Sequence, residues 1–286
     1  MTAMFARAAV IGLGLIGGSL AAGLRRAELA QRIVGYAPQE AELALELGLV
    51  DELATEPGRA VAHADLVVLA APPSALPALL QATAPLLDRR AVLTDVASTK
   101  RGIAEAAERV LGDKLGQFVP AHPIAGSERS GPRAARADLF SGARVILTPT
   151  AQTAPAALAR IEAMWAALGA RVSRMAPTEH DAVFARVSHL PHAAAFALAA
   201  MLAAEPDAGE LQGLAGAGLR DTTRIAASSP ELWADIFLEN DDLLLAAARR
   251  FRDELDTIVG LIEAGDRSAL CEALGRASRW RGALSG

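Results

Sequence analysis

The stretch Ala8-Ala9-Val10-Ile11-Gly12-Leu13-Gly14-Leu15-Ile16-Gly17-Gly18-Ser19-Leu20 decides the fold. Its first four residues form a short apolar run and read as a buried strand. Gly12, Gly14 and Gly17 follow with the spacing G-x-G-x-x-G, and residues 17–26 read as a helix. A glycine turn between a strand and a helix is the setting in which this spacing binds a dinucleotide. Gly12 permits the tight turn, Gly14 lets the main chain approach a pyrophosphate, and Gly17 lets the helix pack on the strand. The helix start, with Leu15 and Ile16, offers N–H groups and the positive end of a dipole to the phosphates. Flanked by Arg7 and by Arg25-Arg26, the stretch superficially resembles an export signal. Four glycines weaken such a signal helix, so a cytoplasmic chain is expected.

Outward from this turn, short apolar runs alternate with helical patterns. Residues 33–36, 66–70 and 91–94 read as strands, and 40–47, 74–87 and 100–111 as helices. Residues 117–120 read as extended, and 145–147 and 170–172 as strands around a helix over 155–168. Continuous apolar strands in this alternation predict a parallel sheet covered on both faces. After Ala176 strand signals vanish. Residues 179–203, 210–214, 230–264 and 266–280 read as helix or helical turns, with broad apolar faces. The expectation is an α/β dinucleotide-binding domain over 1–176 and an all-α domain over 177–286.

Composition narrows the function. Of 286 residues 52% are hydrophobic and 21% charged, enough apolar material for a core. The net charge of -5 disfavours a broadly basic nucleic-acid surface. The apolar run over 193–204 is too short to span a bilayer. Cys271 is the single cysteine, which excludes an intrachain disulfide and a multi-cysteine metal site. The chain ends close behind its last predicted helix, so no appended regulatory domain is expected.

The second strand ends Gly35-Tyr36-Ala37-Pro38-Gln39. Dinucleotide folds that prefer NAD place an acid there to hold the ribose hydroxyls. Ala37 stands in its place and removes a repeller of a 2′-phosphate, so NADP or dual use is slightly favoured for an NAD(P) cofactor. The third strand closes on Pro72-Pro73, and Pro72 is expected beside the cofactor.

Five segments, in order, resemble the prephenate/arogenate (cyclohexadienyl) dehydrogenases of tyrosine biosynthesis. They are residues 10–20 (VIGLGLIGGSL), 94–100 (TDVASTK), 122–128 (HPIAGSE), 179–192 (EHDAVFARVSHLPH) and 219–240 (LRDTTRIAASSPELWADIFLEN). The first is shared with many dehydrogenases, whereas the others are specific as a set. The resemblance implies a Rossmann-type domain followed by a helical dimerisation domain, hence a homodimer acting on a small molecule. It implies hydride transfer from the substrate ring to NAD(P)+, with loss of carbon dioxide and aromatisation.

The resemblance also assigns residues. His122 matches the family's catalytic histidine, and a histidine titrates where it can accept a hydroxyl proton. Ser98 matches the serine that bonds the substrate hydroxyl; by itself it reads as a helix cap. Ser127 and Glu128 fall at the substrate pocket. Arg224 matches the arginine that holds a substrate carboxylate, for which a planar fork is suited. His180 and His192 are expected in the cleft. His189 reads as packing. On an ideal helix His189 and His192 share a face and His180 points elsewhere, although Pro191 can bend this helix. No metal is expected.

Two other readings compete. A β-hydroxyacid or imine-reductase-type dehydrogenase shares the glycine turn, but such enzymes usually rely on a lysine in the helical domain. Here Lys100 and Lys114, the only lysines, both precede it. A non-catalytic dinucleotide sensor has no need of His122, Ser98 and Arg224 together.

Overall fold

The computed structural model describes residues 3–127 and 129–284. Strands and helices alternate through β1 (Phe5–Ile11), α1 (Leu15–Arg26), β2 (Ala30–Tyr36), α2 (Ala41–Glu46), β3 (Glu52–Leu53), α3 (Pro57–Val61), β4 (Leu66–Leu69), α4 (Leu76–Thr83), β5 (Val92–Asp95), α5 (Arg101–Val110) and β6 (Phe118–Val119). Among the described residues these strands form one six-stranded parallel sheet in the order β3-β2-β1-β4-β5-β6. Side chains alternate between its faces, so each face carries its own core. Val10, Leu20, Leu24 and Val68 lie in one; Ile11, Val67, Leu69 and Leu80 lie in the other. This is the doubly wound order, with its switch point between β1 and β4, where ligands bind at the carboxyl ends of the strands.

A second sheet contains β7 (Ala121–Ile124), β8 (Arg144–Leu147) and β9 (Arg171–Arg174), with α6 (Pro155–Ala167) between the last two. The expectation of parallel strands does not extend to β7, which runs antiparallel to β8 and pairs His122 with Ile146. Pro120 marks the change of sheet. It has no N–H to continue the first ladder, while its carbonyl accepts Thr148 N at 2.9 Å. His122 therefore sits on a strand.

The helical part begins with α7 (Pro177–Phe184), a π-helical turn (Ala185–His189) and α8 (Leu190–Ala203). Then come α9 (Ala208–Gly213), α10 (Ala217–Thr223), α11 (Pro230–Glu239), α12 (Asp241–Glu263) and α13 (Arg267–Gly282). The single helix expected over 230–264 is broken at Asn240, whose φ of -127° and ψ of 33° leave the helical region. Its side chain is buried in hydrogen bonds to other elements, and these override local helix propensity.

The chain divides into two compact units, Met1–Asn240 and Asp241–Gly286. The second is the pair α12 and α13. Gly265, at φ +62°, turns the chain between them, and Asp266 caps α13 by accepting Ala269 N at 2.9 Å. Phe251, Leu255, Val259, Ile262 and Trp280 of this unit are exposed.

Candidate active site

The glycine turn is built from main chain. Gly12 has φ +99°, and a Cβ there would fall on the Ala70 carbonyl. A Cβ at Gly17 would fall on the Gly12 carbonyl, so the first turn of α1 lies directly on the loop. Gly14 is different: nothing lies within 4 Å of its would-be Cβ. Gly14 is also the N-cap of α1, which has no capping side chain and no acidic residue in its first turn. The N–H groups at Leu15 and Ile16 thus stand at a helix start with no competing anion, which fits a pyrophosphate. Ala37 is half-buried at the end of β2, and Pro72 is exposed at the end of β4.

The second part of the site is built from side chains. His122 Nδ1 lies 2.8 Å from His180 Nε2, and His180 Nδ1 lies 2.8 Å from Asp181 Oδ1. All three are buried. A carboxylate only accepts, so His180 donates from Nδ1 and its Nε2 carries the lone pair. His122 must then donate from Nδ1, which leaves its Nε2 without a proton. Asp181 thereby sets the tautomer of a ring it does not touch.

Asp181 is held in turn. It accepts the main-chain N–H of Lys100 (2.8 Å) and of Arg101 (2.9 Å), and the Arg101 guanidinium at 3.3 Å. This corrects the reading of Ser98 as a helix cap. Helix α5 begins at Arg101 with no capping side chain of its own, and the Asp181 carboxylate from α7 takes that place. Ser98 is half-buried in the bend between β5 and α5. Asn240 completes the cluster. Its Oδ1 accepts Arg101 Nη2 at 2.9 Å, while its Nδ2 donates to the Asp181 carbonyl (2.9 Å) and faces His189 Nδ1 (3.2 Å).

Burial sets the electrostatics. It pulls His122 well below the usual histidine range, and the charges of His180, Lys100 and His189 push in the same direction. His180 is lowered by burial, opposed by its bond to Asp181. His189 is pushed down to about 4, again by burial, with Asp181 opposing. These shifts favour the neutral form of all three rings.

The π-helical turn corrects the expected facing of the histidines. Twelve residues of ideal α-helix leave His180 and His192 about 120° apart; one residue absorbed in a π-turn brings them to about 20°. His192 stacks on Trp233, with ring centroids 3.5 Å apart and planes at 20°, and its Nδ1 lies 2.9 Å from the Ser188 carbonyl. Burial lowers its pKa, the bond to Ser188 opposes this, and the Arg224 charge lowers it further. Arg224 is exposed and forms no ion pair among the described residues. Its fork is free for an anionic ligand.

Ser127 is exposed in the loop after β7, its Oγ accepting Arg129 N at 3.2 Å. Glu128 lies outside the described residues. Sequence reasoning missed Asp181, Arg101 and Asn240, and it used Lys100 only as a lysine in the wrong domain. Their one signal was membership of the segments 94–100, 179–192 and 219–240; Arg101 adjoins the first.

Comparison with known proteins identifies the family. A family model described as prephenate dehydrogenase, nucleotide-binding domain, matches residues 20–174. A second, described as prephenate dehydrogenase, dimerization domain, matches residues 176–276. The cyclohexadienyl dehydrogenase of Zymomonas mobilis is 35% identical, over 98% of this chain and 97% of its own. The crystal structure of prephenate dehydrogenase from A. aeolicus in complex with hydroxyphenyl propionate and NAD+ superposes with a TM-score of 0.89 at 35% identity, covering 98% of each chain. Synechocystis arogenate dehydrogenase superposes with a TM-score of 0.79 at 34% identity, covering 96% of this chain and 99% of that one. With two family models spanning most of its length and relatives of matching length, the chain belongs to the prephenate dehydrogenase family.

Proposed function

We propose that this protein oxidises prephenate, arogenate or both, with hydride transfer to NAD(P)+, giving 4-hydroxyphenylpyruvate or tyrosine and carbon dioxide. The observation that carries the reading is the buried series His122–His180–Asp181, which leaves His122 Nε2 as an unprotonated acceptor. When bound, the nicotinamide takes the hydride from C4 of the substrate ring. His122 accepts the C4 hydroxyl proton as that carbon becomes a carbonyl carbon. The C1 carboxylate leaves as carbon dioxide, its bonding electrons enter the ring, and the ring becomes aromatic as the C4 oxygen takes its proton back from His122. His180 and Asp181 stabilise the charge that arrives on His122.

Ser98 positions the substrate hydroxyl beside His122. Arg224 holds a carboxylate with its free fork, and His192, fixed flat against Trp233, lines the same pocket. Ser127, in the loop after β7, lies on the substrate side, and the family segment 122–128 assigns Glu128 to the same pocket. Gly12, Gly14, Leu15, Ile16, Gly17, Ala37 and Pro72 form the cofactor side, and the absence of an acid at Ala37 favours NADP or dual use.

We place the functional boundary at 176/177; family-model matches over 20–174 and 176–276 support a change of domain within a few residues of it. The exposed apolar side chains of α12 and α13 and the match to a dimerization domain support a homodimer. No described helix is long and apolar enough to cross a membrane, and a cytoplasmic location is proposed on the single exposed cysteine.

The test is nicotinamide reduction with each substrate paired with NAD+ and with NADP+. Turnover in any pairing is expected. Silence in all four from folded protein that binds the cofactor would overturn the reading.

A further inference from the structure

Lys100 is fully buried, and the proton path above makes no use of its side chain. Its Nζ bonds the Asp95 carboxylate at the end of β5 and donates to the Ala121 carbonyl at 2.9 Å. The other Asp95 oxygen accepts Ala121 N at 3.2 Å. The two charges therefore clasp both main-chain polar groups of Ala121, the residue before His122. An amide side chain can serve a carbonyl equally well, whereas a buried ammonium carries a large desolvation cost. The charge itself calls for a reason.

We propose that Lys100 is a positioning residue for His122: its ammonium fixes the main chain that carries the ring, and its charge adds to burial in keeping that ring unprotonated. The inference rests on the reading of His122 as the base. His122 faces Lys100, His180 of α7 and His189 of the π-turn. Lys100 faces Asp95 of β5 and Asp181 of α7, and Asp181 is paired with Arg101 of α5. Within this set the Lys100 ammonium, which burial destabilises and Asp95 supports, opposes a proton on both His122 and His180, while Asp95 favours one on His180. Removing the charge removes that opposition. Protonation of His122 then sets in at higher pH, and the acid limb of kcat moves up.

The experiment compares wild type with Lys100→Gln, Lys100→Arg and the paired variant Lys100→Met/Asp95→Asn. The paired variant removes both charges at once and leaves no orphaned carboxylate. Two readouts are taken: kcat against pH, and NMR titration of the His122 ring in the protein without cofactor. Lys100→Gln, which leaves the Asp95 carboxylate in place, is expected to move both midpoints upward by about one pH unit, a tenfold loss of kcat on the acid side; the paired variant removes opposing charges together and is expected to move them less while lowering kcat. Lys100→Arg keeps the wild-type midpoints. Unchanged midpoints in Lys100→Gln, even with kcat lowered at every pH, would overturn the proposal and leave Lys100 a structural residue. If His122→Asn keeps wild-type turnover, the reading of the base fails instead, and the ring titration still decides what Lys100 does.

Discussion

The glycine turn at Gly12–Gly17 and the polar cluster from Lys100 to Asn240 prepare two halves of one reaction by opposite means. The turn works by leaving side chains out. Its geometry comes from a positive φ, a helix start and close main-chain contact, and it carries no formal charge. The cluster works by bringing side chains in. Lys100, His122, Asp181 and Asn240 come from four separate segments, and each is buried with its polar atoms directed at another member. A turn of the first kind fails by collision. A cluster of the second kind fails by an unmatched charge or a wrong tautomer. The two should therefore break differently.

The largest effect is expected at the end of the cluster. His122→Asn removes the proton acceptor and should lower kcat by about 10²–10⁴ while cofactor affinity stays within a few-fold. Stopped-flow and cofactor titration check this together; a kcat within tenfold of wild type would move the base elsewhere.

The cluster also makes stability depend on pH. His189 has its folded pKa depressed to about 4 from 6.5. Below pH 6.5 the unfolded chain takes up a proton that the folded chain refuses, so stability is full above that pH and falls as pH drops toward 4. The loss from His189 alone is about 3 kcal/mol, and the lowered His122 and His180 add to it. Urea unfolding at pH 7 and pH 5 should show the decline. A flat profile would mean these rings are not buried neutral.

Arg224 tests the exposed edge of the site. Arg224→Ala should raise KM by about 10–100-fold, the worth of a charge-assisted hydrogen bond, with kcat nearly unchanged. Because Arg224 forms no ion pair among the described residues, Tm should not move. A wild-type KM would remove it from the substrate pocket.

The glycine turn gives the smallest effects and the sharpest contrast. Gly17→Ala drives a Cβ onto the Gly12 carbonyl and should cost about 1–3 kcal/mol of stability together with cofactor affinity. Gly14→Ala meets open space, so it should keep wild-type stability and lose only affinity for the dinucleotide. Equal losses of stability in the two variants would contradict the distinct roles given to these glycines.

These two regions were not equally legible. The turn is local: six consecutive residues, a strand before and a helix after, all readable from spacing. The cluster is not. Arg101 and Asn240 are 139 residues apart, and Lys100 and Asp181 are 81 apart. Nothing in the spacing of either pair marks it as a contact. His122 and His180 could be named singly, yet not as a bonded pair. The π-turn was hidden as well. A helical pattern shows where Pro191 interrupts it, not that one extra residue upstream turns His192 toward the face of His180.

The sequence by itself determined the doubly wound sheet, the dinucleotide turn and the change to helix after Ala176, because each follows from periodicity and backbone freedom over a few neighbouring residues. It also marked His122, Ser98 and Arg224 through their segments. Only the tertiary structure decided which groups bond to which: that Asp181 caps α5 in place of Ser98, that it sets the tautomer of His122 through His180, and that Lys100 and Asp95 hold the strand beneath. The reason is physical. A buried polar group is tolerated only where its partners meet it, and where partners meet is settled by packing of distant elements, not by local propensity.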